Sequence, residues 1–127
     1  MQFEIKPTLK TPHVLLNNED GLILIAGISI PEDPYTFYTP FNQELESYFN
    51  QSPTKTVFEF KLEYFNTSST LVIRNILKFL AEKTNNSDIL VKWYYEEYDE
   101  DMKVAGEEFD TLIKPLNISL LAVKEFK

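Results

Sequence analysis

The sequence contains no cysteine, which excludes disulfide scaffolds, thiol nucleophiles, iron–sulfur clusters and cysteine-ligated zinc. The single histidine, His13, rules out a histidine-rich metal site within one subunit and argues against a Ser-His-Asp triad. No apolar run approaches the roughly 18 residues that span a membrane, and residues 1–6 lack the apolar core of a signal peptide. These absences predict a soluble, cytoplasmic protein that does not bind a membrane.

Positive charge is also scarce. Lys and Arg total 12 and Asp and Glu total 20, which gives a formal charge of −8. Binding to nucleic acid needs clustered basic residues, so nucleic acid is not expected as the main partner. Gly (3) and Pro (7) are too few for a fibrous chain, whereas 43% hydrophobic residues suffice for a core. The 127 residues therefore predict one compact domain over residues 1–127.

Hydrophobic patterning predicts strands that alternate with helices. Apolar segments at Val14–Leu16 and Leu22–Gly27 flank a polar turn and indicate a β-hairpin. Thr39 and Pro40 are typical of an N-cap and a first helical turn, and apolar residues keep helical spacing up to Phe49. Later patterns predict strands at 56–64, 89–95 and 118–123, and helices that begin after 66–69 and near 102. The order ββαβαβαβ predicts an α/β fold with a mixed β-sheet, an N-terminal hairpin and three helices.

Two elements in the second half of the chain have a predicted buried face. Helical spacing places on one face of the third helix Met102, Ala105, Phe109 and Leu112. Strand alternation places Trp93 and Tyr95 on one face and Tyr94 on the other. The first two are expected in the core; a small-molecule sensor would instead need an apolar pocket beside Trp93.

The junction between the third predicted strand and the second predicted helix carries the strongest signal. Asn66 is followed by a run of hydroxyl residues from Thr67 to Thr70, and strand ends are where α/β sheets usually bind ligands and partners. One interpretation is a helix cap, for which Asn and Thr are favoured. The other is a phosphoacceptor, because a phosphate here would lie among unbonded backbone N–H groups at the positive end of the helix dipole. The residues alone leave both interpretations open.

Several blocks resemble the SiaC family of bacterial regulatory phosphoproteins, which are similar in shape to STAS-like anti-sigma-factor antagonists. The blocks occur in the family's order over nearly the whole chain: Thr-Pro-His-Val at 11–14, Gly-Ile-Ser-Ile-Pro-Glu-Asp at 27–33, Phe-Tyr-Thr-Pro at 37–40, Tyr-Phe-Asn-Thr-Ser-Ser at 64–69, Val-Lys-Trp-Tyr-Tyr at 91–95, and Asp-Glu-Asp-Met with Ala-Gly at 99–106. The 27–33 loop commonly reads Gly-Arg-Ser-Tyr-Pro-Glu-Asn in the family. Ile28, Ile30 and Asp33 are the departures, and losing the Arg removes a candidate bidentate contact.

The resemblance implies a phosphorylation switch with no catalysis of its own. Thr67 matches the threonine that, in this family, a dedicated kinase phosphorylates and a phosphatase dephosphorylates. The resemblance also implies that the unphosphorylated form binds and activates a partner enzyme such as a diguanylate cyclase. Asn66, Ser68 and Ser69 would shape the loop and the helix start. Three nearby groups, expected to be exposed, are candidates for a partner-facing rim: Ser29, Glu32 and Asp33.

The same residues are also compatible with other functions. A constitutive binding module would use the 66–69 turn only as a cap, and a small acid/base hydrolase would use carboxylates such as Glu32. The acidic segment at 96–101 lacks the Gly and distal Glu of an EF-hand loop. It is better explained as a solvated helix start, or as a docking surface for a basic partner. Without a P-loop, a G-x-G-x-x-G motif or zinc spacing, no cofactor or metal site is predicted.

Overall fold

The computed structural model describes residues 2–126, in which strands and helices alternate. The strands are β1 (Gln2–Ile5), β2 (His13–Asn17), β3 (Leu22–Ser29), β4 (Lys55–Phe65), β5 (Asp88–Glu96) and β6 (Asn117–Val123). The helices are α1 (Pro34–Asn50), α2 (Thr67–Lys83) and α3 (Glu100–Leu112).

One six-stranded sheet contains all of these strands in the order β1-β2-β3-β4-β5-β6. The pairs β1–β2 and β2–β3 are antiparallel, whereas β3 to β6 are parallel. The predicted hairpin is confirmed, and Gly21 closes its turn with a φ of 65°, a left-handed conformation that glycine adopts without strain. Each parallel connection contains one helix, so the predicted α/β fold with a mixed sheet and three helices is confirmed.

The helices pack on one face of this sheet. Strand residues on that face are buried in cross-strand register, as in the row Leu16, Ile23, Phe58, Val91 and Ile118. Phe41 of α1 packs edge-on against Phe58 with ring centroids 6.1 Å apart, and Phe109 of α3 packs against Trp93 at 5.5 Å. The stripe predicted for α2 is also buried: Val72, Ile73, Ile76, Leu77 and Leu80. Since each buried large side chain contributes about 1.5–3 kcal/mol, this face is the main source of stability.

The predicted start of α1 is wrong. The helix begins at Pro34, and its N-cap is Asp33, whose Oδ1 accepts a hydrogen bond from the Thr36 backbone N–H at 3.2 Å. Pro40 lies inside the helix. Asp33-Pro34 has the same cap-then-proline chemistry as Thr39-Pro40. The earlier start also buries Pro34 and Tyr38, which a helix beginning at Pro40 would not do.

Three further details differ from the sequence predictions. β1 is an additional strand, and it makes the order βββαβαβαβ. Leu112 is 71% exposed because it is the last residue of α3, beyond the part of the helix that covers the sheet. Tyr64, which alternation along β4 would place on the buried face with Phe60 and Leu62, is instead 57% exposed and lies just beyond the register shift at Gly27/Ile28. By contrast, Trp93 is buried, Tyr95 packs against the core and Tyr94 lies on the opposite face, as predicted.

Gly106 is the closest point between α3 and the sheet. Trp93 is fully buried, and its indole Nε1 donates a hydrogen bond to the Met102 carbonyl at 3.0 Å. A Cβ on Gly106 would lie 2.4 Å from Cδ1 of Trp93, which is shorter than real van der Waals contacts. Glycine at this position therefore allows α3 to sit directly on the indole ring.

We expect Gly106→Ala to destabilise the protein by about 1–3 kcal/mol, the usual cost of overpacking a core. Alanine gains up to about 1 kcal/mol over glycine from helix propensity, but this gain is smaller than the cost of displacing a buried indole. Urea unfolding followed by tryptophan fluorescence measures the difference. Glu107→Ala, at the adjacent exposed position, is the control and should change stability by less than about 0.5 kcal/mol. A Gly106→Ala protein at least as stable as the wild type would contradict this packing argument.

Candidate functional site

The first turn of α2 begins directly where β4 ends. Asn66 is its N-cap: the backbone is extended (φ −85°, ψ 173°), and the side-chain Oδ1 accepts a hydrogen bond from the Ser69 backbone N–H at 2.9 Å. The capping interpretation of Asn66 is therefore confirmed. Thr67 is the first helical residue, so its own side chain is not the cap.

The hydroxyl residues of this turn divide into two kinds. Ser69 is fully buried, and its Oγ donates to the Ser29 carbonyl at 3.0 Å. The Thr70 hydroxyl donates to the Asn66 carbonyl at 3.3 Å. Thr67 and Ser68 are exposed, and neither hydroxyl has a hydrogen-bond partner within residues 2–126. Within this turn, these two hydroxyls are thus the ones that are both exposed and unbonded.

A buried chain of hydroxyl groups fixes the turn to the rest of the fold. Ser29 Oγ lies 3.0 Å from Ser69 Oγ and 2.8 Å from Tyr38 Oη. Because Ser69 donates its hydrogen to the Ser29 carbonyl, Ser29 donates to Ser69 and Tyr38 donates to Ser29. Burial raises the pKa of Tyr38 to about 12, so its phenol stays protonated and remains a donor at neutral pH. The chain connects β3, α1 and α2.

Ser29 is not part of an exposed rim. Its side chain is 0% exposed, so the prediction that it faces a partner is wrong. As the last residue of β3, Ser29 pairs with Phe65, and its carbonyl also accepts from the Asn66 backbone N–H at 3.2 Å. The sequence shows its hydroxyl but not its role, because its bonding partners lie 9 and 40 residues away along the chain.

The loop before α1 lies at the same edge of the sheet as Thr67, because β3 and β4 are parallel and end as neighbours at Ser29 and Phe65. Glu32 and Asp33 are both exposed. Asp33 caps α1, and its hydrogen bonds from Thr36 lower the pKa of its carboxyl below the ordinary aspartate value. Asp33 therefore has a structural function in addition to its predicted place on a rim.

The three helix N-termini at this edge carry different charges. The N-caps of α1 and α3 are carboxylates, Asp33 and Asp99, and the first turn of α3 adds Glu100 and Asp101. The first turn of α2 has no acidic residue, and its cap is the neutral Asn66. The positive end of the α2 dipole is thus not balanced by a side-chain charge. A phosphate there is favoured by about 0.3–1 kcal/mol.

Exposed apolar side chains surround this turn, a feature that sequence patterning does not reveal. Leu71 is 47% exposed on α2, and Tyr64 precedes the cap. A cleft of about 460 Å³ separates α2 from α3 and extends from this turn toward Arg74. Its lining includes Phe65, Thr70, Leu71, Ala105 and Leu112. An exposed apolar surface beside a free hydroxyl is typical of a protein interaction site.

The structure gives little support to metal binding. Within residues 2–126, no group of three or more His, Asp or Glu side chains is arranged to hold a metal ion. The acidic segment after β5 instead supplies the cap of α3: Asp99 Oδ1 accepts from the Met102 backbone N–H at 3.1 Å. None of the helices within residues 2–126 is long and apolar enough to cross a bilayer.

Solved structures share this architecture. SiaC of Pseudomonas aeruginosa matches with a TM-score of 0.87 over 97% of this chain and 99% of that chain, at 22% identity. A second match is SiaC in the crystal structure of the diguanylate cyclase SiaD in complex with its activator SiaC from Pseudomonas aeruginosa. The TM-score is 0.89, and the match covers 95% of this chain and 99% of that chain at 23% identity. At this identity the matches establish the fold.

Sequence comparison establishes the family. An uncharacterized protein of Pseudomonas aeruginosa (strain UCBPP-PA14) is 26% identical over 106 residues, which are 83% of this chain and 84% of that protein. The SiaC family regulatory phosphoprotein pattern matches residues 5–123. The chain therefore belongs to the SiaC family of regulatory phosphoproteins, which confirms the resemblance noted from its motifs.

The hydroxyl chain predicts different effects for two neighbouring serines. Ser69→Ala removes a buried hydroxyl that bonds to Ser29, so we expect a loss of about 1–3 kcal/mol. Ser68→Ala removes an exposed hydroxyl without a partner and should cost less than about 0.5 kcal/mol. Thermal and urea unfolding of the two variants make the comparison. Equal stability of both would mean that the buried chain does not fix the turn.

Proposed function

We propose that this protein is a phosphorylation-controlled interaction switch, in which Thr67 is the phosphoacceptor. In its unphosphorylated form it binds and activates a target enzyme, and a kinase and a phosphatase set the state of Thr67. Its action is binding and not catalysis. The observation that carries the proposal is the free, exposed Thr67 hydroxyl on a turn held rigidly by the Asn66 cap and the buried Ser69.

The family relationship supports one kind of target enzyme. SiaC of Pseudomonas aeruginosa is the activator of the diguanylate cyclase SiaD. This chain belongs to the same family and has the same fold over nearly its full length. A diguanylate cyclase is therefore the target that we propose for it.

The switch works through charge at an apolar contact. A phosphate on Thr67 adds about −2 charge in the first turn of α2, one helical turn from the exposed Leu71. A partner that covers this surface would have to bury that charge, and an unpaired buried charge costs several kcal/mol. The chain already carries a formal charge of −8, so an acidic partner would also be repelled. Because Asn66 holds the turn, the phosphate acts on the partner and not on the fold.

The test begins with co-expression of the protein with a candidate partner kinase, followed by intact mass and site mapping. We expect one phosphate on Thr67, none on Thr67→Ala, and an unchanged level on Ser68→Ala. Ser68 is the matched control because its hydroxyl is also exposed and also has no hydrogen-bond partner within residues 2–126. Phosphate that stays on Thr67→Ala, or no modification by a kinase shown to be active, would contradict the assignment.

Binding of the purified variants to a diguanylate cyclase provides the second measurement. We expect Thr67→Ala to keep binding and cyclase activation, and Thr67→Asp and the phosphorylated protein to bind at least about tenfold more weakly, which corresponds to about 1.4 kcal/mol. Ser68→Asp, with the same charge one residue away, should have a smaller effect. If Thr67→Ala and Thr67→Asp alter only stability, Thr67 is part of a constitutive module and the switch is wrong.

A further inference from the structure

The sheet has a second face, and no helix within residues 2–126 covers it. The helices pack on the face that carries Phe58 and Trp93. Alternate strand residues point the other way, and these include the row Leu15, Leu24, Glu59 and Lys92. Parallel sheets in α/β proteins are normally covered on both faces. The parallel half of this sheet therefore exposes a surface that usually has a neighbour.

An apolar patch occupies the middle of this bare face. We call it the sheet patch; it consists of Leu15, Leu22, Leu24, Val57 and Leu90, which adjoin one another across β2, β3, β4 and β5. Each side chain is partly exposed, and none of them packs against the core. A contiguous apolar patch on a sheet face is an expected site of protein association.

Charges on the two sides of the patch are opposite and equally spaced. Glu4 of β1 pairs in register with Leu15, and Lys92 of β5 pairs with Glu59, so both charges lie in the row of Leu24. β1 and β5 are each two strands from β3. Rotation by 180° about an axis along β3 therefore places Glu4 of one copy opposite Lys92 of the other.

The other charges near the middle of the face have partners in their own chain. Tyr94 Oη donates to Glu59 Oε2 at 3.2 Å, and Lys61 Nζ lies 4.9 Å from the centroid of the Tyr94 ring. Glu4 is bonded to His13 through one carboxylate oxygen, Oε2, at 2.7 Å. Lys92 has no ion-pair or hydrogen-bond partner among the side chains of residues 2–126. Near the middle of this face, Lys92 is thus a charge without a counterion in the described part of its own chain.

We propose that the sheet patch is the interface of a homodimer, whose two copies pack face to face about a two-fold axis along β3. Leu24 then lies on the axis against its own counterpart, and two Glu4–Lys92 pairs flank it. Six strands spaced ~4.8 Å apart, and rows of residues over a similar length, give a face of about 600 Å². This is close to the roughly 800 Å² that each partner contributes to a standard interface.

The test measures the mass of the full-length chain by sedimentation velocity over a range of concentrations. We expect the wild type to sediment at twice the chain mass of 14.9 kDa. Leu24→Glu puts two like charges together on the axis and should reduce the mass to that of one chain. Leu112→Glu, the same change at an exposed position on α3, is the matched control and should remain dimeric. Circular dichroism checks that both variants stay folded.

A charge exchange tests the orientation and does not depend on Leu24. Glu4→Lys alone and Lys92→Glu alone should each raise the dimer dissociation constant at least about tenfold, because like charges then face each other. The double variant should recover most of the wild-type affinity. A wild type that sediments as one chain at every concentration, a folded Leu24→Glu dimer, or a double variant as weak as the single ones overturns the proposal. None of these measurements depends on the state of Thr67.

Discussion

In this sheet β3, β4 and β5 are each followed by a helix and then by the next parallel strand on the same lateral side. This stepwise winding requires α1, α2 and α3 to lie on one face and to begin at the carboxyl edge of the sheet. Three helix dipoles therefore present their positive ends there, while the opposite face keeps its strand side chains in solvent. The candidate site and the sheet patch are two results of this one constraint on the chain path.

At the carboxyl edge, the position of the site depends on buried hydroxyl groups. A buried hydroxyl without a partner costs free energy, and Ser29, Ser69 and Tyr38 avoid this cost only as a connected chain. This chain of hydroxyl groups does not include Thr67 or Ser68, whose hydroxyls stay unbonded in the turn. The side of the helix that faces β3 thus decides which hydroxyls of this short segment are buried and bonded and which are exposed.

Local chemistry in the sequence predicts most of the fold and, at the candidate site, the Asn66 helix cap. Alternation identifies β4, and the helical stripe identifies α2, because both patterns arise from one buried face. The sequence fails where two local signals compete, as at Asp33-Pro34 and Thr39-Pro40, since only burial of Pro34 decides between them. It also fails at Ser29, whose polar side chain suggests exposure, because the hydrogen bonds that permit its burial come from distant residues.

The electrostatics of the edge explain why phosphorylation at α2 would be an effective signal. At α1 and α3 a carboxylate already occupies the helix N-terminus, so one more negative charge would meet repulsion from Asp33 or from Asp99 and its neighbours. At α2 the cap is neutral, and a phosphate gains a favourable dipole interaction in place of that repulsion. A phosphorylated protein would therefore lose little stability, while a partner covering Leu71 would meet an unpaired charge. In the proposed switch, a neutral cap between two acidic ones would allow the charge state of Thr67 to change binding without changing the fold.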